Sequence, residues 1–308
     1  MISIVIPSRN EPFLTKTIED LLANAEGDIE IIITLDGWWD KIKKKDAAGK
    51  EYIIDVPIVN DPRVHYIHKG KGMGMRAGIN SAAALAKGEY LMKIDAHCMV
   101  GKGFDKILAN DCEDNWVVIP RRKRLDADKW CIQDVGKIDI DYEYLSFPGN
   151  PADWGGAGLH GMQWNDRSKE RTGKDEFLID ENMSFQGSCW FMKRKYFDFL
   201  ELMDDETYGV FANEAQEIGL KCWLSGGKIM TNKKTWYAHL HKGKTHGRGY
   251  YVQESELIKG NQAVNKWLTN EANWKKQTLP TSWIIEHFWP VPSWPEDWKK
   301  RLTRISTL

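Results

Sequence analysis

Residues Lys87–Cys98 read KGEYLMKIDAHC. The stretch Glu89 to Ile94 is mostly apolar and stops at Asp95, with His97 two residues further on. A short apolar run bounded by glycine and an acidic turn predicts a strand buried on both faces. Upstream, alanine-rich Ala77 to Lys87 predicts a helix, and before it Val64 to Ile67 predicts a strand that ends at glycine-rich HKGKGMGMRAG. Further out, Ile2 to Ile6 is a strand closed by Pro7 and the polar turn SRNE, and Leu14, Ile18, Leu21, Leu22 and Ala25 recur at helical spacing. Glu30 to Leu35 predicts a strand ending at Asp36-Gly37; downstream come a helix near Phe104 to Ala109 and a strand over Trp116 to Pro120. This βαβα alternation predicts an α/β fold with a mainly parallel central sheet and helices on both faces.

The periodicity fails from Arg121 to Asp180, which includes WGGAGLHGMQW and many charges; residues 121–180 are expected to form a long insertion over the sheet edge. Order returns at Phe185 to Met192, followed by a short helix to Leu202, a helix from about Asn213 to Leu224, and two short strands near Lys228 to Met230 and Thr235 to Leu240. Residues 1–245 thus read as one domain, and 246–308 as a Trp-rich C-terminal extension broken by Pro280, Pro290, Pro292 and Pro295. With 43 Lys+Arg against 44 Asp+Glu, the chain has no global basic field of the kind that drives non-specific nucleic-acid binding. No apolar run reaches the ~18 residues of a membrane span and no leader precedes the first strand, so a soluble, cytoplasmic protein is expected. Five widely spaced cysteines without a CxxC read as reduced thiols. The 15 Trp suggest a surface that stacks on a flat ligand.

In open α/β sheets, ligands bind beyond the carboxyl ends of the strands, which here carry Ser8 to Glu11, Asp36, Gly70 to Gly74, and Asp95 to His97. Residues i and i+2 of an extended chain project to one side, so Asp95 and His97 can face one ion, for which carboxylate plus imidazole suits Mn²⁺ better than Mg²⁺. A strand-end Asp that merely caps a turn is the simpler alternative. Gly72-x-Gly74-x-x-Ala77, with Asp95 downstream, also fits a dinucleotide site and hence an NAD-dependent oxidoreductase, although two strand–helix steps precede it. Glu214 and Glu217, three apart on a predicted helix, share a face; a solvated acidic first turn explains them equally. His239 and His241 lie on one side of a short strand and offer a third metal ligand.

These signals fall in the order of a known pattern. KGEYLMKIDAHC, FQGSCWFMKRKYF, NEAQEIGLKCWLSGGKI and YAHLHK, together with the opening ISIVIPSRNE, resemble the GT-A (Rossmann-like) nucleotide-sugar glycosyltransferases, both family 2 and the polypeptide N-acetylgalactosaminyltransferases, over Ile2 to Lys242. The resemblance implies a UDP-sugar donor and a Mn²⁺ or Mg²⁺ ion held by Asp95, His97 and His239, with His241 the fallback. It also implies nucleotide contacts from Pro7, Arg9, Glu11 and Asp36, a diphosphate contact from Arg76, and Glu214 and Glu217 facing sugar and acceptor. Lys242 to Gly249 has the composition of a lid. The Glu-Asp pair of inverting relatives is Glu214-Ala215 here, and the Gly-Glu-Asn of the retaining ones is Asn213-Glu214-Ala215, so the anomeric outcome stays open.

The acceptor expected from the resemblance is a glycan, a protein or a hydroxymethylated DNA base. A phage-type DNA glycosyltransferase draws on Arg121 to Arg124, Lys233, Lys234, Lys242, Lys244, Arg248 and the tail KKRLTR beside abundant Trp, although such runs are usually solvated faces. A non-catalytic nucleotide-sugar binding module is a further alternative, opposed by the presence of Asp95, His97, Glu214 and His239 together.

Overall fold

A computed structural model of the protein describes residues 1–37, 42–45, 49–54, 58–133, 136–148, 159–247, 250–268 and 274–305. In chain order come β1 (Ile2–Ser8), α1 (Leu14–Asn24), β2 (Ile29–Asp36), the antiparallel pair β3 (Ile42–Lys45) and β4 (Glu51–Ile54), β5 (Val64–Lys69) and α2 (Met75–Leu85). They are followed by β6 (Tyr90–Ile94), β7 (Cys98–Val100), α3 (Phe104–Asp111), β8 (Trp116–Asp126), β9 (Cys131–Ile132), β10 (Glu143–Leu145), β11 (Gly161–Gln163), α4 (Asn165–Arg171) and β12 (Ile179–Glu181). The chain continues through β13 (Cys189–Lys193), α5 (Arg194–Phe199), α6 (Asp205–Tyr208), α7 (Glu214–Leu224), β14 (Lys228–His239), α8 (Gly243–His246), α9 (Glu254–Leu268), α10 (Thr281–His287) and α11 (Trp298–Ile305).

The main sheet runs β12-β14-β8-β13-β6-β1-β2-β5. Strands β6, β1, β2 and β5 are parallel; β13 enters antiparallel between β6 and β8, and β14 lies parallel to β8. Because β13 runs against both neighbours, β8 and β14 end on the same side of the sheet as β1, β2 and β6. Pro7, Asp36, Asp95, Arg122 and His239 therefore sit at one end of the sheet, whereas a lone strand end could present only one of them.

Alternation along the strands divides the apolar residues between two faces. Ile2, Ile4 and Ile6 of β1 and Ile29, Ile31 and Ile33 of β2 pack with Leu14, Ile18 and Leu21 of α1 and Phe104 and Leu108 of α3. Val5, Ile32 and Leu91 turn the other way onto Ile79, Ala82 and Ala83 of α2 and Ile218 and Leu220 of α7. Burial on both sides explains why β2 reads as a continuous apolar run.

Three regions depart from the sequence expectation. The segment 121–180 does not begin as an insertion, because Arg121 to Asp126 continue β8 and β12 joins the main sheet. Its charges hid the strand: Arg121 pairs with Asp141 at 2.8 Å, Lys123 with Asp139 at 2.9 Å and Arg122 with Glu143 at 2.9 Å. The two short strands near 228–240 are one strand, β14, whose register against β8 shifts between Asn232 and Trp236. Finally, Trp267, Ile284, Ile285, Phe288, Trp294 and Trp298 from beyond His246 enter the same apolar cluster as α2 and α7. The tryptophans serve this packing, since none of those described lines the large cavity at the strand ends. Trp154 and the start of WGGAGLHGMQW lie outside the described residues.

Candidate active site

A cavity of about 1280 Å³ opens over the carboxyl ends of β1, β2, β6, β8 and β14. At its centre Asp95, His97 and His239 converge, each offering one ligand atom, with these atoms within 4.8 Å of one another. Asp95 Oδ2 lies 3.3 Å from His239 Nε2 and 3.9 Å from His97 Nε2, and the two ring nitrogens are 3.1 Å apart. Strand pairing brings the distant histidine in: β14 runs antiparallel to β7, with His239 opposite Cys98, the residue after His97. His241 follows two residues later, its ring centroid 5.2 Å from that of His239, outside the three-residue cluster.

Electrostatics prepare this trio as ligands. Burial pushes His239 down to about 3, against the upward pull of its contact with Asp95, so its imidazole is neutral and keeps a lone pair near pH 7. Burial also lowers His241 to about 4, helped by Arg122 and Arg124. Burial works to raise the Asp95 carboxyl, but the Lys93 ammonium and the contacts with His239 and His97 more than offset it and hold it well below the usual range. The donor set, one carboxylate oxygen and two imidazole nitrogens, fits Mn²⁺ and, less well, Mg²⁺.

Lys93 was not singled out from the sequence, although a charged residue inside an apolar strand was a legible signal. Its ammonium is 1% exposed and donates to Asp95 Oδ1 at 2.7 Å, Gly187 O at 2.5 Å and Glu214 Oε2 at 3.1 Å. With Oδ1 engaged, Asp95 presents Oδ2 to the histidines. Glu214 also accepts from Trp190 Nε1 at 2.7 Å and faces the cavity from the first turn of α7. Gly187 makes room for it, since a Cβ there would stand 2.6 Å from Glu214 Oε2. Burial raises the Glu214 carboxyl, with Lys93 opposing.

Glu11, expected to contact the nucleotide, lines the cavity with Pro7 and Arg9 and stands beside His97. Buried at 4% exposure, its Oε2 lies 3.0 Å from His97 Nδ1, off the line of a formed hydrogen bond, and is also paired with Lys242. Its pairing with Lys242 ties the chain just after β14 to the loop that follows β1. Of the segment read as a lid, Lys242 makes this contact and Gly243–His246 form α8, whereas Arg248 and Gly249 lie outside the described residues.

Asp36 lines the cavity and accepts from Met73 N at 2.6 Å and Gly74 N at 3.0 Å. The glycine-rich loop thus spends these N–H groups on a carboxylate of its own chain instead of offering them to a pyrophosphate, which removes the basis of the dinucleotide reading. Gly74 has φ 94°, and a Cβ there would lie 2.5 Å from Val210 Cβ, so packing accounts for the glycine. Pro7 and Arg9 line the same side; Arg9 Nη1 is 3.9 Å from Asp36 Oδ2 and its side chain is 39% exposed.

Arg76 and Glu217 do not reach the cavity. Both side chains are 0% exposed and pair with each other, Arg76 Nη2 also donating to Ala212 O at 2.8 Å. Lys221 Nζ and Asp204 N donate to the other oxygen of Glu217, at 2.7 and 3.0 Å. With these partners, neither side chain is available to a diphosphate or a sugar. The basic run considered for DNA is likewise engaged: Arg121, Arg122 and Lys123 hold acidic partners, Lys234 pairs with Asp111 at 3.0 Å, and Lys233 donates to Tyr142 at 2.5 Å.

No helix among the described residues is long and apolar enough to cross a membrane. Comparison with known proteins agrees with the geometry. Over 281 residues the chain is 23% identical to mouse polypeptide N-acetylgalactosaminyltransferase 12, covering 86% of this chain and 43% of that protein. It is 30% identical over 116 residues to the uncharacterized glycosyltransferase EpsJ of Bacillus subtilis, covering 37% of this chain and 31% of the relative, so the chain spans less than half of these curated relatives. The crystal structure of GalNAc-T7 with UDP, GalNAc and Mn²⁺ superposes with a TM-score of 0.65 at 16% identity, covering 94% of this chain and 56% of that one, which establishes the GT-A fold. The sequence profile described as Glycosyl transferase family 2 matches residues 3–200, well over half of the chain, and the chain belongs to that family.

Proposed function

We propose that the protein transfers a sugar from a UDP-sugar to a hydroxyl acceptor and that it does so with a divalent ion, Mn²⁺ or Mg²⁺, held by Asp95, His97 and His239. The observation that carries this reading is the convergence of those three side chains at the strand ends, with Lys93 keeping Asp95 ionised on its far oxygen. The solved relative of this fold was crystallised with UDP, GalNAc and Mn²⁺. Bound here, the ion would neutralise the diphosphate released when the sugar departs. Pro7, Arg9 and Asp36 line the side of the cavity suited to the nucleotide, where the exposed Arg9 guanidinium can reach an anion.

Glu214 is the chain's own candidate for the proton of the acceptor hydroxyl. Its raised affinity for protons makes it a better base than an exposed carboxylate, and Trp190 and Lys93 fix the direction in which it points. Glu217 and Arg76 take structural parts around it.

The test is a panel of nucleotide sugars measured by thermal shift and donor hydrolysis with Mn²⁺, Mg²⁺ or EDTA. A UDP-sugar is expected to raise the melting point and to be slowly hydrolysed in metal and not in EDTA. Asp95→Ala is expected to lose both responses with the fold intact. Donor binding that is indifferent to EDTA and to Asp95→Ala would overturn the metal-dependent reading, and absence of binding by every donor would overturn the transferase reading.

A further inference from the structure

The two halves of the cavity differ in what they can recognise. Resting on the transferase reading above, we propose that the half over β13 and β8 is the acceptor subsite and that it takes an uncharged, hydroxyl-rich acceptor, a neutral saccharide.

The sheet order divides the cavity. β1 and β2 lie to one side of β6 and place Pro7, Arg9 and Asp36; β13 and β8 lie to the other, with Arg122, Gln186 and the β10–β11 pair. Asp95 and Glu214 stand between the halves, where a transferred group would pass.

Charge decides the class of acceptor. On the β8 side Arg122 is spent on Glu143 at 2.9 Å and Gln186 at 2.5 Å. At the centre Lys93 is shared by two carboxylates, and Lys242 is held by Glu11. Arg9 is the loosely paired cation, and it belongs to the nucleotide side. Glu256, engaged by the Val210 N–H at 3.0 Å, adds a carboxylate to the wall. Among the described lining residues carboxylates thus outnumber cations, and the charge a divalent ion adds is met by the donor's own diphosphate. Among the described residues of the β8 side, a polyanionic acceptor would find no unspent cation and a potential of the wrong sign.

What this half does offer is neutral. His160, Gln163, Asn165 and Gln186 line it with amide and imidazole groups, which give and accept hydrogen bonds as sugar hydroxyls do. Met162, 48% exposed, and buried Phe185 add apolar surface for the C–H face of a sugar ring. Hydroxyls desolvated in a site without such partners would bind poorly, so the polar and apolar elements belong to one recognition surface.

The experiment uses the full chain with Mn²⁺ and UDP present. Binding is measured to an array of neutral, sulfated and phosphorylated glycans, to Ser/Thr peptides, and to duplex DNA carrying 5-hydroxymethylcytosine. Neutral saccharides are expected to bind with little dependence on salt, and the exposed-site variants Gln163→Ala and Met162→Ala to raise the acceptor KM several-fold to about tenfold without changing UDP affinity. Selective binding of DNA, of anionic glycans or of peptides overturns the proposal, as does wild-type acceptor KM in both variants. Calorimetry with UDP and Mn²⁺ separates the two readings: no UDP binding removes the transferase reading and this one with it, whereas UDP binding with an anionic or peptide acceptor removes this one alone.

Discussion

Glu214 and Glu217 stand one helical turn apart on α7 and live in opposite chemical worlds. Glu217 is 0% exposed and saturated: Arg76 holds one oxygen, while Lys221 and the Asp204 N–H hold the other. Glu214 shares its one cation, Lys93, with Asp95 and opens onto the cavity. The same residue type at adjacent turns is a structural anchor in one place and the proposed acceptor base in the other. What separates them is whether the partners exhaust the carboxylate. Arg76 and Lys221 can serve Glu217 because α2 packs against α7 below the cavity, whereas Lys93 approaches Glu214 from the sheet and has Asp95 to hold as well.

The largest effect that could break this comparison is on stability. Removing one member of a buried pair leaves uncompensated charge and costs about 3–5 kcal/mol. Glu217→Ala is therefore expected to lower the denaturation midpoint strongly, while protein that stays folded in the cold keeps near wild-type donor turnover. Replacing Arg76 and Glu217 together by Met should recover much of the loss in a double-mutant cycle. Abolished turnover at an unchanged melting point would instead place Glu217 in the chemistry.

Glu214→Gln probes the other side of the contrast. The amide keeps the shape and an acceptor for Trp190 Nε1 but cannot take a proton, so kcat is expected to fall by about 10²–10⁴-fold with a small change in melting point. The pH profile sharpens the point: a base whose carboxyl is raised by burial loses activity as pH falls through that raised value, so the acid limb of kcat should lie above that of an ordinary glutamate and disappear in the variant. Wild-type kcat for Glu214→Gln would make the two glutamates alike.

Much of the parallel sheet was legible because β1, β2 and β6 are buried on both faces and read as apolar runs, and the metal-type trio was legible because Asp95 and His97 share a strand end. The partition between Glu214 and Glu217 was not, since their spacing predicts a common face and only the packing of α2 and β6 says which of them meets a spent cation. The continuation of β8 was hidden for a related reason: Arg121 to Arg124 look like a solvated or nucleic-acid-binding run until Asp139, Asp141 and Glu143, distant in sequence, are laid beside them. Lys93 was readable in principle, because a lysine inside an apolar strand has to find buried partners.

Lys93→Met tests what joins the two regions of chemistry, the trio and Glu214. The substitution keeps the aliphatic stem but releases Asp95 Oδ1, Gly187 O and Glu214 Oε2. Mn²⁺ affinity, measured by titration without donor, is expected to weaken about 10–100-fold, as for loss of other groups that orient metal ligands. Lys93→Arg, which retains charge but not shape, should fall between the two. Unchanged Mn²⁺ affinity in Lys93→Met would mean that Asp95 needs no help in presenting its second oxygen.

The smallest expected effect lies far from this chemistry, at Lys233, and it checks whether a half-buried cation outside the site behaves by the same rules. Burial lowers its ammonium to about 8 despite Asp141 and Asp180 nearby, while its Nζ sits 4.6 Å from the Tyr142 ring centroid. In the unfolded chain the group titrates near 10.5, so between about pH 8 and 10.5 the unfolded state binds more protons than the folded one. Folding stability therefore gains from this group as pH rises through that window, and below pH 8 its burial is opposed in full. The melting point of the wild type should accordingly show an alkaline rise, or a shallower alkaline fall, that Lys233→Met lacks. Identical profiles for the two proteins would mean that the contacts of Lys233 with Tyr142 and Phe177 hold it charged as comfortably as water does, and that partner saturation, the property that divides Glu217 from Glu214, reaches this cation as well.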